Sequence, residues 1–282
     1  MTIEQRLDRY KLTVDRELER ILSRSNTLLF QAMRHSVLGG GKRFRPLLCL
    51  AAAEAFAPEP AVILPFACAV EFIHSYSLIH DDLPCMDDDD VRRGRPTCHK
   101  EFGEDVALLA GNGLLTLAFE LMARAEVPRR LLMRKIRVIL ETAELAGVEG
   151  MIGGQLLDIA FSAENATEAS LGELMLKKTG ALITASVRSG ALLGGASSAG
   201  LEAVTVFGEN LGLAFQVRDD IHDAAEKPKK GAPAGPNYAR VFGVERARDH
   251  LRHFVEAGLE ALKTGGVKGP LLRRLAGRLL EK

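Results

Sequence analysis

Two stretches of this sequence concentrate groups able to hold a metal ion and a phosphate. The first, HSYSLIHDDLPCMDDDDVRRGRPTCH over 74–99, carries six aspartates, two adjacent arginines and three histidines; the second, FQVRDDIHD over 215–223, carries three more acids. Carboxylates crowded this closely repel one another unless water or a cation offsets them. Magnesium takes oxygen ligands, commonly one or two carboxylates plus the phosphate oxygens of a substrate. Arg92 and Arg93 follow the first cluster at once, and guanidinium forks match phosphate oxygens. The candidate metal ligands are Asp81, Asp82 and Asp87 in the first cluster and Asp219, Asp220 and Asp223 in the second. A single acid run is equally the mark of a solvated turn. Two DD-containing clusters, each leaving an apolar helix, favour metal.

Spacing sets conditions on that reading. Asp219 and Asp223 are four apart and share a helix face. Asp81 and Asp87 are six apart, so on an unbroken helix they point about 120° away from each other. They can share a metal only if the chain bulges between them. Pro84 disfavours helical geometry at Leu83, which predicts that the helix breaks there.

The elements that would position these groups read as helices. The chain has 282 residues, enough to bury a sizeable core. Lys and Arg number 37 and so do Asp and Glu, so zero net charge points to neither nucleic acid nor a membrane surface. Cys49, Cys68, Cys85 and Cys98 have no CxxC or finger spacing, and no secretory signal is visible, so reduced thiols in a cytoplasmic protein are expected. No charge-free apolar run reaches the roughly 18 residues of a membrane helix. Amphipathic helices are expected over 2–34. Buried helices are expected over 46–57 and 61–80, and a third long apolar one over 103–124. Residues 129–160 read as one further helix in which Gly153 and Gly154, costing about 1 kcal/mol each, point either to a close approach by another backbone or a ligand or to a helix kink. Residues 170–194 include Lys177, Lys178, Thr179 and Gly180, a helix leads into the second acid cluster over 201–225, and an amphipathic tail follows. No repeat, linker or strand-period segment is visible. The expectation is one all-α domain over 1–282, its helices surrounding a deep central cavity with both acid clusters at the mouth. Gly39-Gly40-Gly41, followed by Lys42, Arg43 and Arg45, is either a phosphate-binding turn or a basic linker.

HDDLPCMDDDDVRRGRPTCH resembles the first aspartate-rich motif of the trans-isoprenyl diphosphate synthases, and FQVRDDIHD the second. GGGKRFRP (39–46), GGQLLD (153–158) and KTGALI (178–183) match other signatures of that family in the expected order, so the resemblance covers nearly the whole chain. The first motif is most similar to that of bacterial farnesyl diphosphate synthases, with two extra residues between its aspartates.

The resemblance implies the isoprenoid synthase fold and a prenyl transfer that needs magnesium, three ions, with manganese as a substitute. Lys42, Arg45, His74 and Arg93 would bind isopentenyl diphosphate. Arg92, Lys178, Thr179 and Gln216 would bind the allylic diphosphate, and Thr179, Gln216 and the Lys178 backbone carbonyl would stabilise the cation formed from it. Gln155 and Asp158 would face the cavity. Tyr76 and Ser77 would set chain length, with an aromatic closing the tail pocket as in farnesyl producers. The region 103–124 would form a homodimer interface. The implied product is farnesyl diphosphate, with geranylgeranyl or geranyl diphosphate as alternatives; a regulatory subunit and a class I terpene cyclase are further readings. One departure stands out. After Asp223 the chain runs AAEKPKKGAPAGPNYARVFG, so Pro236 takes a lysine's usual place and the loop is several residues short. Lys227, Lys229 and Lys230 would either replace the lost charge or form a solvated turn.

Overall fold

In the computed structural model, residues 1–56, 60–161, 166–225 and 236–281 are described. The unusual loop after Asp223, with Lys227, Lys229, Lys230, Pro228 and Pro233, lies outside them.

The amphipathic start forms α1 (Ile3–Leu22) and α2 (Leu28–Leu38). A capping box starts α1: the Thr2 hydroxyl accepts from the Gln5 N–H and the Gln5 side chain returns to Thr2. Its buried stripe, Leu7, Tyr10, Val14, Leu18 and Ile21, recurs at helical period. The apolar runs become α3 (Phe44–Glu54) and α4 (Pro60–Asp81). Next come a two-residue hairpin, β1 (Val91–Arg92) with β2 (Arg95–Pro96), then α5 (Cys98–Phe102) and α6 (Glu104–Arg124). After these are α7 (Leu132–Ala146), α8 (Met151–Ile159), α9 (Glu168–Met175), a π-turn (Leu176–Gly180), α10 (Ala181–Gly194) and α11 (Ser198–Ala225). The chain closes with α12 (Tyr238–Phe242), α13 (Val244–Thr264) and α14 (Pro270–Gly277).

The architecture is all-α, and α10 lies at its centre. Every residue of α10 is buried except half-buried Arg188, which pairs with Glu141 of α7 at 2.7 Å. Around it pack α3, α4, α7 and α11.

Two expectations need correction. Residues 129–160 do not form one helix: a 3-10 turn at Arg129–Leu131 precedes α7, and the chain breaks between Ala146 and Met151. A strand pair does exist, though only two residues long, and it holds Arg92 on the cavity side. Val62–Asp81 and Glu104–Arg124 are each long and apolar enough to cross a membrane by length and composition, since a helix tolerates the few charges that interrupt these runs. The first is 67% buried as a core helix, whereas the second is only 39% buried.

Candidate active site

The first wall of the site is the end of α4 and the loop that leaves it. The helix stops at Asp81, ahead of Pro84. The Asp87 N–H then donates to the Asp81 carbonyl at 2.8 Å and the Asp88 N–H to that of Leu83 at 3.2 Å. This is the bulge that the six-residue spacing requires, and it brings Asp87 back beside Asp81. Asp81 lines a large cavity. Burial pushes its carboxyl up to about 6, opposed by Lys178 and reinforced by Asp87. Desolvation raises Asp87 too, again against Lys178.

Asp82 departs from expectation. It is 3% exposed and turned away from the cavity, and its Oδ1 accepts from Arg92 Nε at 2.7 Å and Nη2 at 2.6 Å. Successive helical residues project about 100° apart, so only one of two adjacent acids can face the cavity. Asp82 instead braces Arg92, which does line it.

The second wall is the last two turns of α11. Asp219 and Asp223 line the cavity four residues apart. Burial raises Asp219, with Arg218 and Lys42 opposing and Asp223 adding to the rise. Asp220 repeats the departure of Asp82. It is 4% exposed, does not line the cavity, and accepts from Gln216 Nε2 at 2.9 Å and the Tyr238 N–H at 2.7 Å. Burial pushes its carboxyl up to about 6.

Between the walls lies a group of cations. Gly40 and Gly41 have φ of 107° and 132°, and a Cβ on Gly41 would come 3.0 Å from Arg93 Nη1. The glycines therefore let the turn pass close under Arg93, whose Nη1 donates to the Gly40 carbonyl. Arg45 and Arg93 line the cavity. Arg45 is 8% exposed, its Nε has no hydrogen-bond partner among the described residues, and burial lowers its guanidinium to about 10. An unpaired buried guanidinium is costly, and an anion is what would satisfy it. His74 also lines the cavity; burial, then Arg45 and Arg93, hold its imidazolium well below the usual range, so the ring is neutral at pH 7. Lys42 is exposed and stands outside the cavity lining, though its charge reaches Asp219.

Opposite the first wall, Lys178 and Thr179 sit in the π-turn, a feature the sequence did not reveal. Such single-turn departures recur at functional sites. A Cβ on Gly154 would lie 2.2 Å from the Lys178 backbone N, so α8 and the π-turn touch backbone to backbone. That is the close approach the glycine pair implied. Gln155 lines the cavity, while Asp158 pairs with Lys178. The Thr179 hydroxyl donates to Gln216 Oε1 at 2.8 Å.

Away from these charged groups the cavity lining is apolar. It encloses about 1220 Å³, with Leu108 and Leu115 of α6 and Ile152 and Leu156 of α8 on its sides. Tyr76 and Ser77 both line it, although helical period alone sets Tyr76 off the Asp81 face. The Tyr76 ring meets His80 edge-on at 5.6 Å. Phe215, missed in the sequence, lines the cavity and lies 5.8 Å beneath the Arg45 guanidinium; an aromatic one residue before Gln216 was the available signal. Outside the cavity, Asp88, Asp90 and His99 bring ligand-capable atoms within 4.8 Å, but Asp90 is already paired with Lys100 at 2.8 Å.

Comparison with known proteins agrees with this geometry. The polyprenyl synthetase family profile matches residues 26–235. A farnesyl diphosphate synthase of Geobacillus stearothermophilus is 42% identical over 96% of this chain and 95% of its own. The large subunit 1 of a heterodimeric geranylgeranyl pyrophosphate synthase from Arabidopsis thaliana is 45% identical over 78% of this chain and 63% of its own. Among solved structures, an FPP/GFPP synthase from Zymomonas mobilis superposes with a TM-score of 0.87 at 33% identity, covering 99% of this chain and 98% of that one. A geranyltransferase from Legionella pneumophila gives 0.87 at 31% identity, covering 99% and 96%. With two carboxylate walls, a cationic cradle and an apolar pocket on one all-α frame, the chain belongs to the polyprenyl synthetase family and is a short-chain trans-prenyltransferase.

Proposed function

We propose that the chain condenses isopentenyl diphosphate with dimethylallyl or geranyl diphosphate and releases farnesyl diphosphate as its main product. The observation that carries this reading is one cavity with acids and arginines at its mouth and an apolar interior lined by Tyr76. Isopentenyl diphosphate would sit against Arg45, Arg93 and neutral His74, with Lys42 at the rim. The allylic diphosphate would meet Arg92 and Lys178.

Magnesium fits the donor set: Asp81, Asp219 and Asp223 face one cavity, and burial already makes Asp81 and Asp219 reluctant to stay charged without a cation. Asp81 and Asp87 on one side and Asp219 and Asp223 on the other would hold it, three ions in all, with manganese as a substitute. When bound, the ions supply Lewis-acid stabilisation of the departing diphosphate.

In the reaction the allylic C–O bond breaks and its electron pair leaves with the diphosphate. The isopentenyl double bond attacks the allylic carbon, and the released diphosphate takes the proton lost afterwards. Oxygens of Thr179, Gln216 and the Lys178 backbone would stabilise the intervening cation, and the apolar part of the lining would limit the water that could quench it. A geranylgeranyl product is the second reading, favoured by the small Ser77 beside Tyr76 and by the geranylgeranyl-forming relatives.

We also propose a homodimer. Leu109 of α6 and Met133, Ile136 and Leu140 of α7 are exposed, a type of surface that a partner commonly covers. Light scattering at micromolar concentration tests it.

The test of function is turnover with isopentenyl diphosphate and each allylic diphosphate in turn, with product length read by chromatography. Mainly C15 product from dimethylallyl diphosphate supports the reading. Mainly C20 product overturns the product assignment, and full turnover in EDTA overturns the metal assignment.

A further inference from the structure

Both carboxylate oxygens of Asp220 are taken up by protein donors. One of its oxygens accepts from Gln216 Nε2, the other from the Tyr238 N–H, and its backbone carbonyl accepts from Asn237 Nδ2 at 3.1 Å. A carboxylate can only accept, an amide NH2 can only donate, and an amide carbonyl can only accept. With its NH2 held by Asp220, Gln216 must turn Oε1 toward Thr179. Thr179 has one hydroxyl proton, and that oxygen takes it. What Thr179 then offers the cavity it lines is oxygen lone pairs.

We propose that Asp220 is a positioning residue, not a metal ligand: it sets the polarity of the chain Thr179–Gln216–Asp220, so that Thr179 turns the negative end of its dipole toward the allylic cation. The inference rests on the prenyl-transfer reading and names what fixes the electrostatics of its cation step. Dipoles oriented in advance toward developing charge stabilise a transition state strongly, and they cost nothing to reorganise as the charge appears.

The geometry also fixes what an amide at this position does. The Tyr238 N–H is a backbone donor and demands an acceptor. In Asp220→Asn the new carbonyl must therefore face Tyr238, leaving the new NH2 facing Gln216. Gln216 then rotates its own amide, and its NH2 comes round to Thr179. Every hydrogen bond survives, but Thr179 now accepts, and its proton is free to point into the cavity. The variant is nearly isosteric and keeps its partners, so it separates polarity from packing.

The decisive measurement compares wild type, Asp220→Asn, Thr179→Val and the double variant. Asp220→Asn is expected to lower kcat at least about 30-fold, by analogy with the loss of one preorganised donor. KM for both diphosphates and half-saturating magnesium should stay within about threefold. In the Thr179→Val background, where no hydroxyl remains to be turned, Asp220→Asn should cost less than about threefold further. A readout without turnover is the calorimetric affinity for a diphosphate-bearing prenyl amine, protonated at neutral pH, divided by that for its neutral carbon isostere. Wild type should prefer the cation, and Asp220→Asn should lose most of that preference. An unchanged preference overturns the inference, as does a loss of kcat that is additive with Thr179→Val. A half-saturating magnesium concentration raised about tenfold or more makes Asp220 a metal ligand and also overturns it. Absence of turnover in wild type would sink the prenyl-transfer reading separately, and the calorimetric ratio would still decide the polarity of the chain.

Discussion

Arg43 and Arg45 stand two residues apart, and their surroundings give them opposite tasks. Arg43 is 4% exposed and pairs with Glu71 at 2.8 Å and Asp15 at 2.7 Å. Arg45 is nearly as buried, yet its Nε has no partner among the described residues. Arg43→Ala strands the buried Glu71 carboxylate and should destabilise by about 3–5 kcal/mol, read by denaturant unfolding. Arg45→Ala should leave Tm unchanged or higher while raising KM for isopentenyl diphosphate at least about tenfold, the worth of one charged hydrogen bond. Asp81 supplies a pH test. Its folded value of about 6 lies above the ordinary 3.8. The native state therefore holds this proton more tightly than the unfolded chain does. The resulting stability is fully present below about pH 4 and is lost as pH rises through 6. Without metal, Asp81→Asn should raise Tm at pH 8 by several degrees, on the order of 2 kcal/mol, and the gain should vanish near pH 4. Saturating magnesium at pH 8 should reverse the order by stabilising only the wild type. An equal gain at both pH values would show that burial does not penalise this carboxylate. The sequence located the acids but could not tell Asp81 from Asp82, or Asp219 from Asp220. Neighbours on a helix differ only in direction, and direction is set by what packs against the helix.

At the scale of elements, the sequence carried the helices because apolar spacing and breakers such as Pro84 are local signals. It did not carry the break at 147–150 or the π-turn at Leu176–Gly180. An i→i+5 bond uses the same residue types as i→i+4, so the choice between them is tertiary. Gly154 supplies part of that tertiary reason. Its missing Cβ lets α8 press on the Lys178 backbone, and Gly212 of α11 likewise meets Gly180, where a Cβ would lie 2.3 Å from its Cα. The turn that bears Lys178 and Thr179 is thus held between two helices at backbone contact. Gly154→Ala should push α8 away from it. Overpacking of this kind costs about 1–3 kcal/mol. Because the displaced atoms carry Lys178, kcat should fall at least about tenfold in a protein that still unfolds cooperatively. Calorimetry and steady-state kinetics on one preparation check both. A stable variant with normal kcat would mean that the contact relaxes without moving Lys178.

Product length belongs to the whole molecule, because the cavity that measures the chain is built from α4, α6, α8, the π-turn and α11 at once. Its mouth fixes where the diphosphate sits, and its depth fixes how many carbons fit behind. Tyr76 and Ser77 lie within the last turn and a half of α4 before Asp81, so each reaches the tail about one helical turn, roughly 6 Å, below the first metal ligand. Tyr76 is 5% exposed, its hydroxyl has no hydrogen-bond partner among the described residues, and its ring rests against His80. Little but packing holds the ring there, so truncating it opens space without unpairing another group. Tyr76→Ala should shift product from C15 toward C20 or longer. The Ser77 hydroxyl donates to the His74 carbonyl at 3.0 Å, which holds this small side chain against its own helix. Ser77→Phe should fill the same space from the neighbouring position and shift product toward C10. Each five-carbon unit adds four main-chain bonds, one of them double, a length comparable to one helical turn, so a residue one turn deep can discriminate a single addition. The measurement is product distribution from dimethylallyl diphosphate at matched conversion, with Tm recorded to exclude unfolding. If Tyr76→Ala leaves C15 dominant while Ser77→Phe still shortens the product, the floor lies at Ser77 and the ring is only a wall. If neither variant changes the distribution, chain length is set elsewhere, and the apolar side chains of α6 and α8 that line the cavity, Leu108, Leu115, Ile152 and Leu156, are the ones to vary next.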